Sequence, residues 1–377
     1  MIQLLTDIVL IITGFQLILL AVVLLTQKNI NRLNRNLLVA FLLSKAFLII
    51  RWFSFRFEIV RYNDLPYIYL ITGSVFFLLA PLLYFYIKSL CYKDFPLNKH
   101  DFFHLIPFLV FIFFSIMSIQ LELSQAGTEF RAMGKIFISY YWDIFWTCNF
   151  IQIISYIIAM VRTIYVYQIK IKNHYSSVET INLNWFVTLL VVITLHWLFV
   201  VSRATLSILN ITVGNLINII DLFSITIFLV FTTILVIKGL NQLKIFSGID
   251  EKLKYANSKL PESEMQRYVQ QLTQCMKTQK PYLIPSLTID DLSQKLSISS
   301  WQLSQVINNS FHQNFFNFIN KYRIEEAKRL MVVPSNRKKT ILEILYEVGF
   351  NSKSTFNDVF KKYTGMTPSE FKRLNRN

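Results

Sequence analysis

"GFNSKSTFNDVFKKYTGMTPSEF", residues 349–371, encodes one complete helix with both of its ends marked. Asn351 or Ser352 stands where a helix cap belongs, and Phe356, Val359 and Phe360 recur at helical spacing before Gly365 stops the run. Lys353, Ser354, Asn357 and Asp358 fall on the opposite, outward face, and Lys361 and Lys362 place positive charge at the C-terminal end. The preceding "KTILEILYEVGF", residues 339–350, reads as a shorter helix closed by Gly349. Two short helices joined by a tight turn make a helix-turn-helix.

The same plan occurs upstream in "LTIDDLSQKLSISSWQLSQVINNSF", residues 287–311. Thr288 caps a first helix that turns Leu292 and Leu296 inwards, "SIS" supplies the turn, and Ser299 caps a second. Leu303, Val306 and Ile307 form the inner stripe of that second helix, which displays Trp301, Gln302, Ser304, Gln305, Asn308 and Asn309. Amides and hydroxyls of this kind can read base edges, with Gln or Asn pairing to adenine. "NFFNFINKYRIEEAKRLMVV", residues 314–333, keeps helical spacing between the two units, and a further helix is expected over about 262–278, starting after Pro261. At about 1.5 Å per residue the connecting helix spans nearly 30 Å, close to one DNA turn.

The rest of the chain has a different composition. Of 377 residues, 54% are hydrophobic and 16% charged, against about 25% charged in ordinary globular domains. Residues 1–238 carry 17 Lys/Arg and 10 Asp/Glu, and residues 239–377 carry 21 and 12, an excess of +9 in the shorter part. This asymmetry points to a membrane part joined to a part that meets a polyanion. Seven stretches are long and apolar enough to span a bilayer: about 4–26, 37–55, 67–90, 102–120, 140–166, 183–207 and 213–238. The expected fold is therefore all-α, with a seven-helix transmembrane domain (1–238), a juxtamembrane linker (239–261) and a DNA-binding domain with two helix-turn-helix units (262–377).

Basic residues orient the spans. Loops 1–2, 3–4 and 5–6 hold nine of them, including Lys28, Arg32, Lys99 and Lys172, and the opposite loops hold Arg56, Arg61, Arg131 and Lys135, with Arg203 near a helix end. The richer side is expected to be cytoplasmic, which puts the N-terminus outside and the C-terminal domain inside, with DNA. Arg51, Asp143, Arg203 and Asp221 then fall in the outer half of the bundle and form a candidate ligand pocket; structural ion pairs are the plainer reading. His196, within "LHWLF", reads as a hydrogen-bonded interior residue.

Other chemistry finds little support. The three cysteines, Cys91, Cys148 and Cys275, form no CxxC and have no neighbouring histidine pattern, so neither a disulfide framework nor a metal site is expected. There is no phosphate loop, nucleophile elbow, HExxH or kinase ATP motif, and neither an enzyme nor a cofactor is expected. A transporter or channel with a regulatory tail is the rival reading, although the apolar part shows no internal two-fold repeat.

From about residue 262 onwards the chain resembles the DNA-binding domain of the AraC/XylS family, through "YRIEEAKRLM" (322–331) and "ILEILYEVGFNSKSTFNDVFKKYTGMTPSEFKR" (341–373). The whole arrangement is similar to membrane-embedded AraC-type regulators of Bacteroidota-like bacteria. The resemblance implies base contacts from Trp301, Ser304, Gln305, Lys353, Ser354, Asn357 and Asp358, and phosphate contacts from Arg323, Lys361 and Lys362. It also exposes departures: Leu345 stands where the family commonly has Ala, His312 where it commonly has Gly, and Asp358 where a basic residue is frequent. The expected protein is a homodimeric transcription regulator of a bacterial inner membrane. It would bind double-stranded DNA and couple a small-molecule or peptide signal, from the periplasm or the membrane, to promoter occupancy.

Overall fold

The computed structural model describes the chain except residues 28–30, 60, 62–63, 93–94, 124–127, 180, 182–183, 210, 212–213, 246–259, 334, 336–337 and 376–377. Among the described residues every regular element is a helix, and the only bridge is an isolated one between Tyr175 and Thr288. They fall into two units: Met1–Ile164 with Asn184–Gly248, and Tyr165–Leu183 with Ile249–Asn377. The expected linker, 239–261, lies mostly outside the described residues.

The first unit is built from α1 (Ile2–Thr26), α2 (Arg32–Arg56), α3 (Pro66–Ile71), α4 (Phe76–Cys91), α5 (Ile106–Leu123), the larger part of α6 (Thr128–His174), α7 (Asn184–Ile208) and α8 (Leu216–Ile245). A short 3-10 segment, Thr72–Val75, carries α3 into α4, so among the described residues seven helices are long and apolar enough to cross a membrane. They match the seven stretches expected from hydropathy. α1 shows why they suit lipid: Thr13, Gly14, Ala21 and other inward residues are buried, whereas Ile8, Ile11, Ile12 and Phe15 point out. Small residues let helix backbones approach closely, and large apolar ones cover the outside, the reverse of a helix in water. Hydroxyls inside the bundle return to their own helix, as Thr13 Oγ1 does to the Val9 carbonyl at 2.7 Å and Ser115 Oγ to that of Phe111 at 2.6 Å. α7 packs along α8, and α1 lies against both α2 and α8.

The second unit holds α9 (Glu262–Thr278), α10 (Ile289–Leu296), α11 (Ser300–Phe311), α12 (Phe315–Val332), α13 (Ile341–Glu347), α14 (Lys353–Thr364) and α15 (Pro368–Leu374). Their starts are fixed chemically. Thr288, Ser299, Thr340 and Thr367 each accept from the amide three residues on, and the side chain at that third position returns to the cap's own amide. Ser352, of the two candidates in the sequence, caps α14. Two hydrophobic cores result. α12 supplies Phe315, Phe318 and Ile319 to the first and Ile324, Ala327 and Leu330 to the second, so one helix of about 27 Å serves both helix-turn-helix units.

Gly349 makes the turn of the second unit. It adopts φ +90°, and a Cβ there would sit 2.8 Å from the Leu283 carbonyl oxygen. Only glycine meets both demands. At His312 the departure noted in the sequence is real strain, since a non-glycine residue holds φ +53° after α11. Leu345, the other packing departure, is fully buried in the second core.

Candidate functional site

The outward face of α14 carries Lys353, Ser354 and Asp358 exposed and Asn357 half-buried, while Phe356, Val359 and Phe360 anchor the inner face. The caps decide this orientation, because Ser352 sets the first turn and Gly365, at φ +78°, ends the last. Lys361 and Lys362 are exposed in that last turn, and Lys362 Nζ reaches Asn317 Oδ1 at 3.4 Å. On α11, Trp301, Ser304 and Gln305 are half-buried on the side opposite Leu303, Val306 and Ile307. Two of the polar groups there already have partners: Gln305 Oε1 accepts from the Leu260 amide at 3.3 Å, and Ser304 Oγ from Asn308 at 3.3 Å. Gln302, a displayed amide in the sequence reading, spends its oxygen on the Ser299 capping box at 2.9 Å.

Arg323 departs from its expected place. It is fully buried at the joint of the two cores instead of at a phosphate-facing surface. Its Nε donates to the Tyr282 carbonyl at 2.7 Å, and its Nη2 to the Ile284 carbonyl at 2.9 Å. Nη1 reaches Asn320 Oδ1 at 3.2 Å, and Nη2 reaches Ser176 Oγ at 3.1 Å. Burial holds this guanidinium below its ordinary value, at about 10. The sequence reading missed the reason, which is that five oxygens converge on one cation, the four above and the Ser176 carbonyl, 3.4 Å from Nη1.

Ser176 was also unforeseen. Residues 165–183 were assigned to the membrane part, yet they belong to the second unit. Ser176 donates through its amide to the Leu287 carbonyl at 3.0 Å and through its hydroxyl to the same oxygen at 2.7 Å. Asn320 Nδ2 donates to the Ser176 carbonyl at 3.2 Å, and Asn351 Nδ2 bridges Ser286 Oγ at 2.7 Å and Ser177 Oγ at 3.5 Å. The segment after α6 is thus bonded into the elbow between the two helix-turn-helix units.

The first unit contains a cavity of about 300 Å³ beside another of about 450 Å³. Both are lined by Arg51, Arg203 and Asp221, three of the four residues named from sequence, together with Trp52 and Tyr69. Asp143 does not join them; it is exposed, one position beyond the cavity-lining Trp142, and its helix phase turns it outwards. Arg203 Nε pairs with Asp221 at 2.9 Å and Arg56 with Asp7 at 3.3 Å, so two ion pairs tie α7 to α8 and α1 to α2. His196 Nδ1 lies 2.9 Å from the Ser224 carbonyl, as the interior reading expected. No group of three or more His, Cys, Asp or Glu residues among those described is arranged to hold a metal ion.

Residues 292–374 match a family model described as a helix-turn-helix domain. The chain is 36% identical over 87 residues to an uncharacterized HTH-type transcriptional regulator in the cgkA 5' region of Pseudoalteromonas carrageenovora, covering 23% of this chain and 49% of the relative. It is 26% identical over 130 residues to the Msm operon regulatory protein of Streptococcus mutans, covering 34% and 45% of the two chains. Against the melibiose operon regulatory protein of Escherichia coli it is 28% identical over 91 residues, covering 24% and 29%. In each case the match spans less than half of the relative's length. No solved structure matches the chain significantly. The C-terminal part of the protein is therefore a helix-turn-helix domain. More narrowly, its paired units, the central α12 and these relatives make it a domain of the AraC/XylS type.

Proposed function

We propose that this protein is a membrane-integral, sequence-specific DNA-binding transcription regulator, in which the first unit senses a ligand and the second binds promoter DNA as a homodimer. The observation that carries the reading is the presence, on one chain, of two capped recognition helices with polar outward faces and of seven helices fit to span a bilayer. α11 and α14 would enter successive major grooves. Trp301, Ser304 and Gln305 would read bases from the first, and Lys353, Ser354, Asn357 and Asp358 from the second. Lys361 and Lys362 would neutralise phosphates. The regulator would lie in a bacterial inner membrane, with its N-terminus outside and residues 262–377 in the cytoplasm.

The route from ligand to DNA runs through α6 in this reading. α6 supplies Trp142 and Trp146 to the cavity of the first unit, and the residues directly after it supply Ser176 to the Arg323 cluster of the second. A ligand that favours one state of the bundle would thereby bias the elbow between the two recognition helices, provided that it binds that state better than the other. Helix α8 and the segment after it offer a second connection.

Chromatin pull-down of the full-length tagged protein tests the proposal, beside a Lys353→Ala/Asn357→Ala variant. Discrete peaks that vanish in the variant are the expected result. Absence of enrichment in every growth condition would refute the DNA-binding role and return attention to a transporter with a regulatory tail.

A further inference from the structure

The cavity in the first unit has a charge imbalance that points to its ligand. Four basic side chains and two carboxylates line the two adjoining cavities. Each carboxylate is already taken, Asp221 by Arg203 and Asp7 by Arg56. Arg51 and Lys45 have no carboxylate partner among the described residues. Lys45 Nζ instead lies 4.4 Å from the centre of the Phe228 ring, a weak substitute for an anion.

Arg51 is held in place. Its Nε donates to Thr72 Oγ1 and its Nη2 to the Tyr69 carbonyl, both at 2.9 Å, and its guanidinium lies 4.5 Å from the Phe55 ring centre. Gly73 makes room for it, since a Cβ at that position would sit 3.4 Å from Arg51 Nη2 and 3.7 Å from Trp142. Neutral oxygens and ring faces fix the guanidinium without neutralising it. A cation kept within an apolar bundle is costly unless something compensates its charge.

The remaining walls are apolar. Trp52, Phe76, Trp142 and Trp146 face the same space, with Leu10 and Ile225 beside them. A cavity of about 300 Å³ is at the small end of the range for ligand sites, large enough for a ring or a short length of chain.

We infer that this site binds an organic anion with one acidic head group, of carboxylate type, on an apolar aromatic or acyl body. The head group sits between Arg51 and Lys45, and the body lies against the tryptophans. This inference rests on the reading of the first unit as a sensor. The same chemistry could arrive from water as a small aromatic acid or from the bilayer as a fatty acid.

The test uses the full chain in neutral-lipid nanodiscs and follows tryptophan fluorescence, because three of the six tryptophans line the cavity. The probes are 4-phenylbutyrate, added from water, and palmitate, delivered through the lipid. The controls are 4-phenylbutanol, hexadecanol and 4-phenylbutylamine. Saturable quenching by at least one acid is expected, with its matching alcohol about tenfold or more weaker, the scale of one charge-assisted hydrogen bond. The acid that binds identifies the source. Arg51→Gln and Lys45→Met should each remove the preference for acid over alcohol and leave alcohol binding unchanged. Binding of the alcohols or the amine as tightly as the acids would overturn the inference, and so would an absence of saturable quenching by every probe. The comparison of acid with alcohol in the unaltered protein stands even if a variant fails to fold. Chromatin pull-down remains a separate readout: peaks without acid preference defeat this inference alone, and acid preference without peaks defeats the regulator.

Discussion

Replacing Arg323 with Met separates two accounts of this residue. If it is the buried clasp that the structure shows, Arg323→Met leaves the Tyr282 carbonyl without its donor inside the core and removes the partner of the Ile284 carbonyl. An unsatisfied buried acceptor costs about 1–3 kcal/mol. Ile284 is 43% exposed, so water takes over part of its loss, and the Ser176 carbonyl keeps Asn320 Nδ2. Met fills much of the space left by the arginine stem, and the desolvated charge disappears, which offsets some of the penalty. The expected net loss is about 1–3 kcal/mol. Cys275, 6% exposed in the first core, offers a direct assay in the full chain once Cys91 and Cys148 are changed to Ser. Its labelling by a thiol reagent requires the unit to open, so Arg323→Met should speed labelling by about 5- to 150-fold. The slope of DNA affinity against salt should not change. An unaltered labelling rate, with the salt slope reduced by about 0.9, would be the behaviour of a phosphate contact and would refute the clasp.

Other substitutions probe the neighbouring features. Ser176→Ala should cost about 1 kcal/mol in the same labelling assay, and its effect should be far from additive with Arg323→Met, as expected of groups sharing hydrogen bonds; strict additivity would argue against the shared cluster. His312→Gly should stabilise the second unit by about 0.5–1 kcal/mol, because φ +53° is strained for histidine and open to glycine. Lys361→Ala should weaken binding uniformly across operators, whereas Asn357→Ala should cost about 1–3 kcal/mol against one preferred base pair and little against others, as binding-site selection by sequencing would show. Glu343 and Glu370 are held below their ordinary value of 4.5, chiefly by the Thr340 and Thr367 amides. A carboxylate so depressed stabilises the fold above its unfolded value, and that contribution is lost as the pH falls through the folded one. Thermal melts below pH 4.5 should therefore lose less stability in Glu343→Gln than in the unaltered protein.

The elements with local signals were legible in the sequence. α10, α11, α13 and α14 announce themselves through caps, helical spacing and the glycines at 349 and 365, and each cap acts through a bond to a residue three positions away. The seven apolar helices were legible for a similar reason, since bilayer thickness sets a length that hydropathy reveals. What failed depends on distant partners. Arg323 looks like a surface cation because nothing within ten positions of it foretells the carbonyls of Tyr282 and Ile284, about 40 residues upstream, or Ser176, 147 residues away. Asp143 failed through helix phase. Depth in the bilayer can be read from position along a span, but one step beyond Trp142 turns a side chain from the cavity to the outside.

The Arg323 cluster also bears on why a sensor of this design would route its signal after α6. Pairing two helix-turn-helix units on one rigid α12 fixes their separation, so a ligand gains little by acting on either recognition helix alone. The joint is different. There the cation holds the carbonyls of 282 and 284, which precede the first unit, while its ring contact, Phe350, opens the turn into α14 at 5.5 Å. Ser176 comes to this cluster from outside residues 262–377, as does Glu179, whose charge also acts on Arg323, and both follow a helix that lines the cavity. To move a two-state equilibrium from 1:99 to 99:1 takes about 5.5 kcal/mol of differential binding. The four shorter hydrogen bonds of Ser176, at about 1 kcal/mol each, are comparable with that, so the segment can bias the elbow without having to unfold it.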